Sequence, residues 1–120
     1  MQGKRGQMNH SPITQLRSTL ELTQLEETRF QGKSLWMPHG RVFGGQVMAQ
    51  ALAAATKTVN ETRPVHSLHG YFLRPGDVEQ DIVFDVEVLR DGRSFSARRV
   101  QALQNEKVIF SMISSFQISE

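Results

Sequence analysis

The chain has 120 residues and a mass of 13.6 kDa, the size of one compact domain or of a unit that needs a partner to complete its core. Apolar residues make up 38% and charged residues 22%, a globular balance that excludes a disordered or fibrous chain. The net charge of +2, from 14 Lys+Arg against 12 Asp+Glu, contains no long basic stripe, so nucleic acid is not the expected main partner. There is no cysteine, which excludes a disulfide scaffold, a thiolate nucleophile and a Cys-ligated metal, and fits a reducing compartment such as the cytoplasm. No apolar run reaches the length of a membrane span. Lys4 and Arg5 have no apolar stretch behind them, which is not the pattern of a secretory signal. No HExxH or comparable ligand spacing occurs, so neither a metal nor another cofactor is expected.

Residues 1–10 are polar and read as a disordered tail, with Met8 an alternative first residue. Residues 11–120 read as one domain. Ser11-Pro12 supplies a cap and a first-turn proline, and Ile13, Leu16 and Leu20 follow a helical spacing. Leu25 to Phe30 reads as a first strand, and Gly32 to Gly40, with Pro38, as loop. Gly44 to Val59 reads as the principal helix. Lys57 is its only charge, whereas a surface helix carries a charged outer face. Its alanines favour helix and allow neighbouring strands to come close. The expectation is a helix surrounded by protein, with a sheet curled around it.

Four strands are expected after it, in a meander. Val65 to Leu73 ends at the turn Arg74-Pro75-Gly76-Asp77. Asp81 to Leu89 alternates Ile82, Phe84, Val86 and Val88 with Asp85 and Glu87. Asp91-Gly92 is a hairpin signal, followed by a strand through Phe95 and Ala97 to Leu103. Asn105-Glu106 is the next turn, and Val108 to Phe116 the last strand. The fold class is therefore α+β with an antiparallel sheet.

Gly44 and Gly45 open the principal helix. Free backbone N–H groups at a helix start, reached past glycine, can bind a carbonyl oxygen that gains charge during acyl transfer. The other reading is a tight entry from strand to helix. Gln46 in the first turn can orient a water or a substrate amide, or serve as a polar cap. His66 and His69, three apart in a strand, point to opposite faces and do not suit one metal. His69 is kept as a candidate beside the helix; a packed, hydrogen-bonded histidine is the alternative. Tyr71 and Phe72 read as packing residues. The candidate substrate-binding residues are thus Gly44, Gly45, Gln46 and His69. Arg74, Arg90, Arg93, Arg98 and Arg99 could meet phosphates of a cofactor-like group such as coenzyme A. Arg90 and Arg93 read better as a solvated hairpin face, while Arg98 and Arg99 stay open. There is no GxSxG, no P-loop and no GxGxxG.

Phe43 to Gln46, His66 to Asp77, Leu89 to Val100 and Ser114 to Gln117 together resemble the acyl-CoA thioesterase II family, in order, from about Leu20 to Glu120. The resemblance implies a hotdog fold, an antiparallel sheet wrapped around one long helix. It also implies hydrolysis of fatty acyl-CoA to free fatty acid and coenzyme A, by direct attack of water and without metal or organic cofactor. Members of that family carry two hotdog repeats, and this chain matches the first. The water-activating Asp, Gln and Thr belong to the second repeat, and Gly44-Gly45-Gln46 stands where that repeat has its Asp. No catalytic residue is therefore carried over. The expected partners are acyl-CoA and a second hotdog domain in cis or in trans, with a homodimer as the substitute when none is present in cis. The alternative function is a non-catalytic hotdog module that binds acyl-CoA or completes a double hotdog. A hydratase acting on enoyl-CoA is a weaker rival, because Phe43 to Gln50 offers neither Asp nor His.

Overall fold

The computed structural model describes residues 12–118, so the tail expected at 1–10 lies outside the described residues. Helix α1 spans Pro12–Thr19. The segment expected to hold one strand holds two, β1 (Thr23–Glu26) and β2 (Arg29–Gly32), which pair antiparallel across Glu27-Thr28. The turn is fixed from outside: the Thr28 carbonyl accepts the Val86 N–H at 2.8 Å, which docks the hairpin on the next strand. Only Phe30 and Gly32 of this hairpin are buried.

Helix α2 spans Gly44–Thr56. Phe43, in extended conformation (φ −67°, ψ 126°), precedes it without a side-chain cap. The helix stops three residues short of the expected Val59. There the N–H groups of Thr58 and Val59 reach back only three residues, to Ala55 and Thr56, and the Thr58 hydroxyl donates to the Ala55 carbonyl at 2.8 Å. This tightened last turn swings Val59 into the core. Gln46, Val47, Gln50, Ala51, Ala54 and Ala55 are buried against the sheet. The other side corrects the expectation of a helix enclosed all round: Gly45 is exposed, and Met48, Ala49, Leu52 and Ala53 are only half-buried. That side has no charge, so it is an apolar surface left partly uncovered.

The remaining strands are β3 (Val65–Phe72), β4 (Ile82–Asp91), β5 (Phe95–Gln104) and β6 (Lys107–Gln117). All pair antiparallel, in the order β1-β2-β4-β5-β6-β3. The expected four-strand meander is thus β4-β5-β6 only. β3 crosses to the far side of β6 and forms an open edge, because Phe72 and Val65 pair with Phe110 and Phe116. Ile82, Phe84, Val86, Val100, Ala102, Phe110, Met112 and Phe116 line the inner face and form the core with Phe30 and the buried stripe of α2. The alternation predicted for β4 holds through Val86. An irregularity between Val88 and Arg90 then shifts the register, and Val88 is exposed. The outer face carries the ion pairs Arg29–Asp85 at 2.8 Å and Arg99–Glu87 at 2.9 Å over β2, β4 and β5, and exposed Tyr71, Phe95 and Ile113 nearer β3. Among the described residues no helix is long and apolar enough to cross a membrane.

Candidate functional site

The start of α2 is open in two senses. The amides of Gly44 and Gly45 donate to no described acceptor, while those of Gln46 and Val47 both donate to the Phe43 carbonyl, at 3.0 and 3.3 Å. Two free N–H groups therefore remain at the positive end of the helix dipole. The glycines also keep the approach narrow. A side chain on Gly44 would come 3.1 Å from the Phe72 ring, and one on Gly45 2.8 Å from the Phe43 ring.

Beside these amides lies an open, mainly apolar groove of about 400 Å³, lined by Val42, Gly44, Val47, Phe72, Leu73, Pro75 and Ile109. One wall is the turn Arg74 to Asp77. It is held against the α2 entry by the hydrogen bonds Val42 N–H to Gly76 carbonyl (2.9 Å) and Val78 N–H to Gly40 carbonyl (3.0 Å). Gln104 secures the same turn, accepting the Asp77 N–H at 2.9 Å and donating to the Asp77 carbonyl at 2.8 Å. Phe43, Phe72 and Leu73 are half-exposed around the groove, and Trp36 is 59% exposed in the preceding loop.

Gln46 is fully buried and does not open onto the groove. Its Oε1 accepts the Leu35 N–H at 2.7 Å and its Nε2 donates to Gln50 Oε1 at 3.0 Å. Gln50 Nε2 in turn donates to the carbonyls of Thr19 and Lys33, at 3.0 and 2.8 Å. The two glutamines, one helical turn apart, fasten the loop after β2 to α2 and so fix the helix entry. The i, i+4 spacing was visible in the sequence; what it holds was not.

His69 pairs with Ile113 on the outer face, across the sheet from α2. The expectation that His66 points to the opposite face fails. The pairing is irregular between Val65 and Ser67, and the His66 ring meets Phe95, on the outer side of β5, at 6.3 Å between centroids. The bulge brings both histidines to one face. Tyr71 is 58% exposed and does not pack as expected, whereas Phe72 stacks on Phe110 with ring centroids 4.6 Å apart.

Arg90 and Arg93 are exposed on the hairpin, as expected, and the two arginines left open, Arg98 and Arg99, are both engaged within the fold. Arg98 is 1% exposed and saturated: Nε donates to Thr58 Oγ1, Nη2 to the Thr58 carbonyl, Nη1 to the carbonyls of Arg90 and Ala97, and both Nη atoms meet the Asp91 carboxylate. Arg99 is paired with Glu87. The Arg98 and Ser96 hydrogen bonds hold the Asp91 carboxyl below its ordinary range. Arg90 and Arg93, in contrast, make no hydrogen bond or ion pair through their guanidinium groups with any described residue.

A six-stranded antiparallel sheet carrying one charge-free helix with an open, glycine-lined start defines a hotdog domain. The family model for the acyl-CoA thioesterase N-terminal domain matches residues 33–117. The chain belongs to that family. It is similar to acyl-CoA thioesterase 2 of Haemophilus influenzae, 46% identical over 101 residues, which cover 84% of this chain and 35% of the relative. It is also similar to human acyl-coenzyme A thioesterase 8, 48% identical over 100 residues, with 83% of this chain and 31% of the relative covered. Among solved structures, the TesB protein of Mycobacterium avium subspecies paratuberculosis superposes with a TM-score of 0.84 at 44% identity, over 88% of this chain and 43% of that one. The chain spans about a third of the length of the curated relatives it matches.

Proposed function

We propose that this chain is the first hotdog unit of an acyl-CoA hydrolase, acting on fatty acyl-CoA together with a second hotdog unit supplied in cis or by another chain, with the cytoplasm as its expected location. The observation that carries this is the pair of unpartnered amides at Gly44 and Gly45 beside an apolar groove, in a chain of the acyl-CoA thioesterase family. When water attacks a thioester, the carbonyl oxygen takes up negative charge. Two fixed N–H donors at a helix start stabilise that charge without having to reorganise. Phe72, Val47 and Ile109 offer apolar contact for part of the acyl chain. Gln46 acts by holding the loop at Leu35, and His69, on the outer face, has no part in the thioester step.

Water activation needs a positioned base, and the first turn of α2 holds no acidic residue. That observation favours the second reading, a hotdog unit that completes a fold and binds acyl-CoA without hydrolysing it alone. The test measures hydrolysis of palmitoyl-CoA by this chain, by a C-terminal half taken from the Haemophilus influenzae relative, and by the two mixed. The proposal expects little activity from this chain alone and a rise of at least about 10²-fold on mixing. No gain from a mixture shown by light scattering to be a complex would leave only the binding module. The partly uncovered side of α2 and the open edge β3 support association, and a homodimer is the form expected of this chain by itself.

A further inference from the structure

The end of the molecule opposite the α2 start carries a second cavity, of about 550 Å³, under the β4–β5 hairpin. Its walls include Arg90, Arg93, Ser94, Ser96 and Ser115, and no acidic residue. We propose that this cavity is a phosphate site for the nucleotide end of coenzyme A, with Arg90 and Arg93 as its anion ligands.

The local architecture leaves these two cations uncompensated. The hairpin has one carboxylate, Asp91, and both its oxygens are taken by Arg98, at 2.9 and 3.1 Å. Arg63 braces the other side, donating to the carbonyls of Arg93 and Phe95 and to the Ser96 hydroxyl, at 2.8, 3.0 and 2.8 Å. It forms no ion pair among the described residues, although its charge helps to lower the Asp91 carboxyl. Gly92 lets Arg90 lie across the turn: a side chain at that position would come 3.1 Å from Arg90 Nε. Two free guanidinium groups on a braced turn, beside Ser94 and Ser115, suit a phosphate, which accepts planar paired N–H donors.

The position fits a long substrate. The inference rests on the proposed function here. Two hotdog units that join their β3 edges and keep both α2 helices on one side of the sheet must run those edges antiparallel. The Phe72 end of one β3, next to its Gly44, then lies opposite the Val65 end of the other. From there the strands β3, β6 and β5 step across to the cavity. Three strand spacings put roughly 15 Å between one unit's free amides and the other's arginines. That is a span for the arm linking a thioester to its nucleotide.

The experiment titrates 3′,5′-ADP, the doubly phosphorylated nucleotide of coenzyme A, into the full chain by calorimetry. Arg90→Ala/Arg93→Ala should weaken binding at least tenfold, and Lys107→Ala, an exposed cation on another turn, should change it less than twofold. The two arginines bond nothing else, so the double variant keeps the fold, which circular dichroism checks. No binding by the parent chain, equal binding by the double variant, or an equal loss in Lys107→Ala would overturn the site. Inorganic phosphate binding as tightly as 3′,5′-ADP would overturn its assignment to coenzyme A. Palmitoyl-CoA hydrolysis by the mixed halves separates this proposal from the one it rests on. Nucleotide binding lost in the double variant, with no hydrolysis on mixing, keeps the site and removes the thioesterase reading. Hydrolysis with 3′,5′-ADP binding unchanged in the double variant keeps the thioesterase reading and removes the site.

Discussion

The two ends of α2 are built in opposite ways. At its C-terminal end the chain is fastened: Arg98 joins Thr58, Ala97, Arg90 and Asp91 through one buried guanidinium, and every one of its N–H donors is used. At its N-terminal end the chain is left open, with two amides free and aromatic rings standing half-exposed around a groove. One helix thus has an anchored end and a receptive end. Fastening the first keeps the second in place, because a helix pinned at its far turn cannot slide to satisfy its own entry amides.

The largest effect is expected at the anchor. Arg98→Met should destabilise the fold by about 2–4 kcal/mol, since it leaves the Thr58 carbonyl and Asp91 without their donor; urea unfolding measures it. Cutting the tie that positions the open end comes next. Gln50→Ala takes away the partner of the Lys33 carbonyl and of the Gln46 amide and should cost about 1–3 kcal/mol by the same measurement. At the open end the sign of the comparison turns. Gly45→Val should leave stability within about 1 kcal/mol, because the site faces solvent and the Phe43 ring can move aside. It should weaken palmitoyl-CoA binding, read by fluorescence of Trp36, the one tryptophan of the chain. Binding equal to that of the parent would show that the helix start is only a tight turn.

The smallest effect is in pH. The Asp91 carboxyl is held low in the fold, so its contribution to stability is complete above its unfolded value and fades as pH falls through the depressed one. Half of the side chain is exposed, so the contribution is under about 1 kcal/mol. Asp91→Asn should remove that part of the stability loss below about pH 4. An unchanged acid-unfolding profile would show that Arg98 is held by its backbone acceptors alone.

The sequence made α2 legible because a charge-free, alanine-rich run has few other uses, and the hairpin turns because Asp91-Gly92 and Asn105-Glu106 suit tight reversals. It misled wherever pairing, not composition, decides. Leu25 to Phe30 has no alternation to mark the reversal at Glu27-Thr28, whose fixing bond comes from Val86, far along the chain. A bulge beside His66 turns one histidine over, and Val88, although still in register with the inward Arg98, is left exposed near the end of its strand. Alternation along β5 puts Arg98 on an inward position, where it is buried, while Arg90 and Arg93 stay exposed, as the reading of a solvated hairpin face expected. At the candidate site Gly44 and Gly45 were readable as an open helix start. The work of Gln46 was not, because its partner Leu35 lies in a loop without periodicity.

The placing of β3 also sets how much chain its pairing must close over. β4, β5 and β6 join neighbour to neighbour through short turns, and Asn105 and Glu106 close the last of them with φ of 51° and 63°, a left-handed pair that matches strand twist. Such hairpins close over small loops. β3 instead pairs with β6 only after the whole of β4 and β5 lies between them, so its closure carries the larger entropic cost. The strand that would receive a second hotdog unit is thus tied to its own sheet by a long-range pairing, as β2 is to β4 on the other side, and it leaves its outer edge free for the partner.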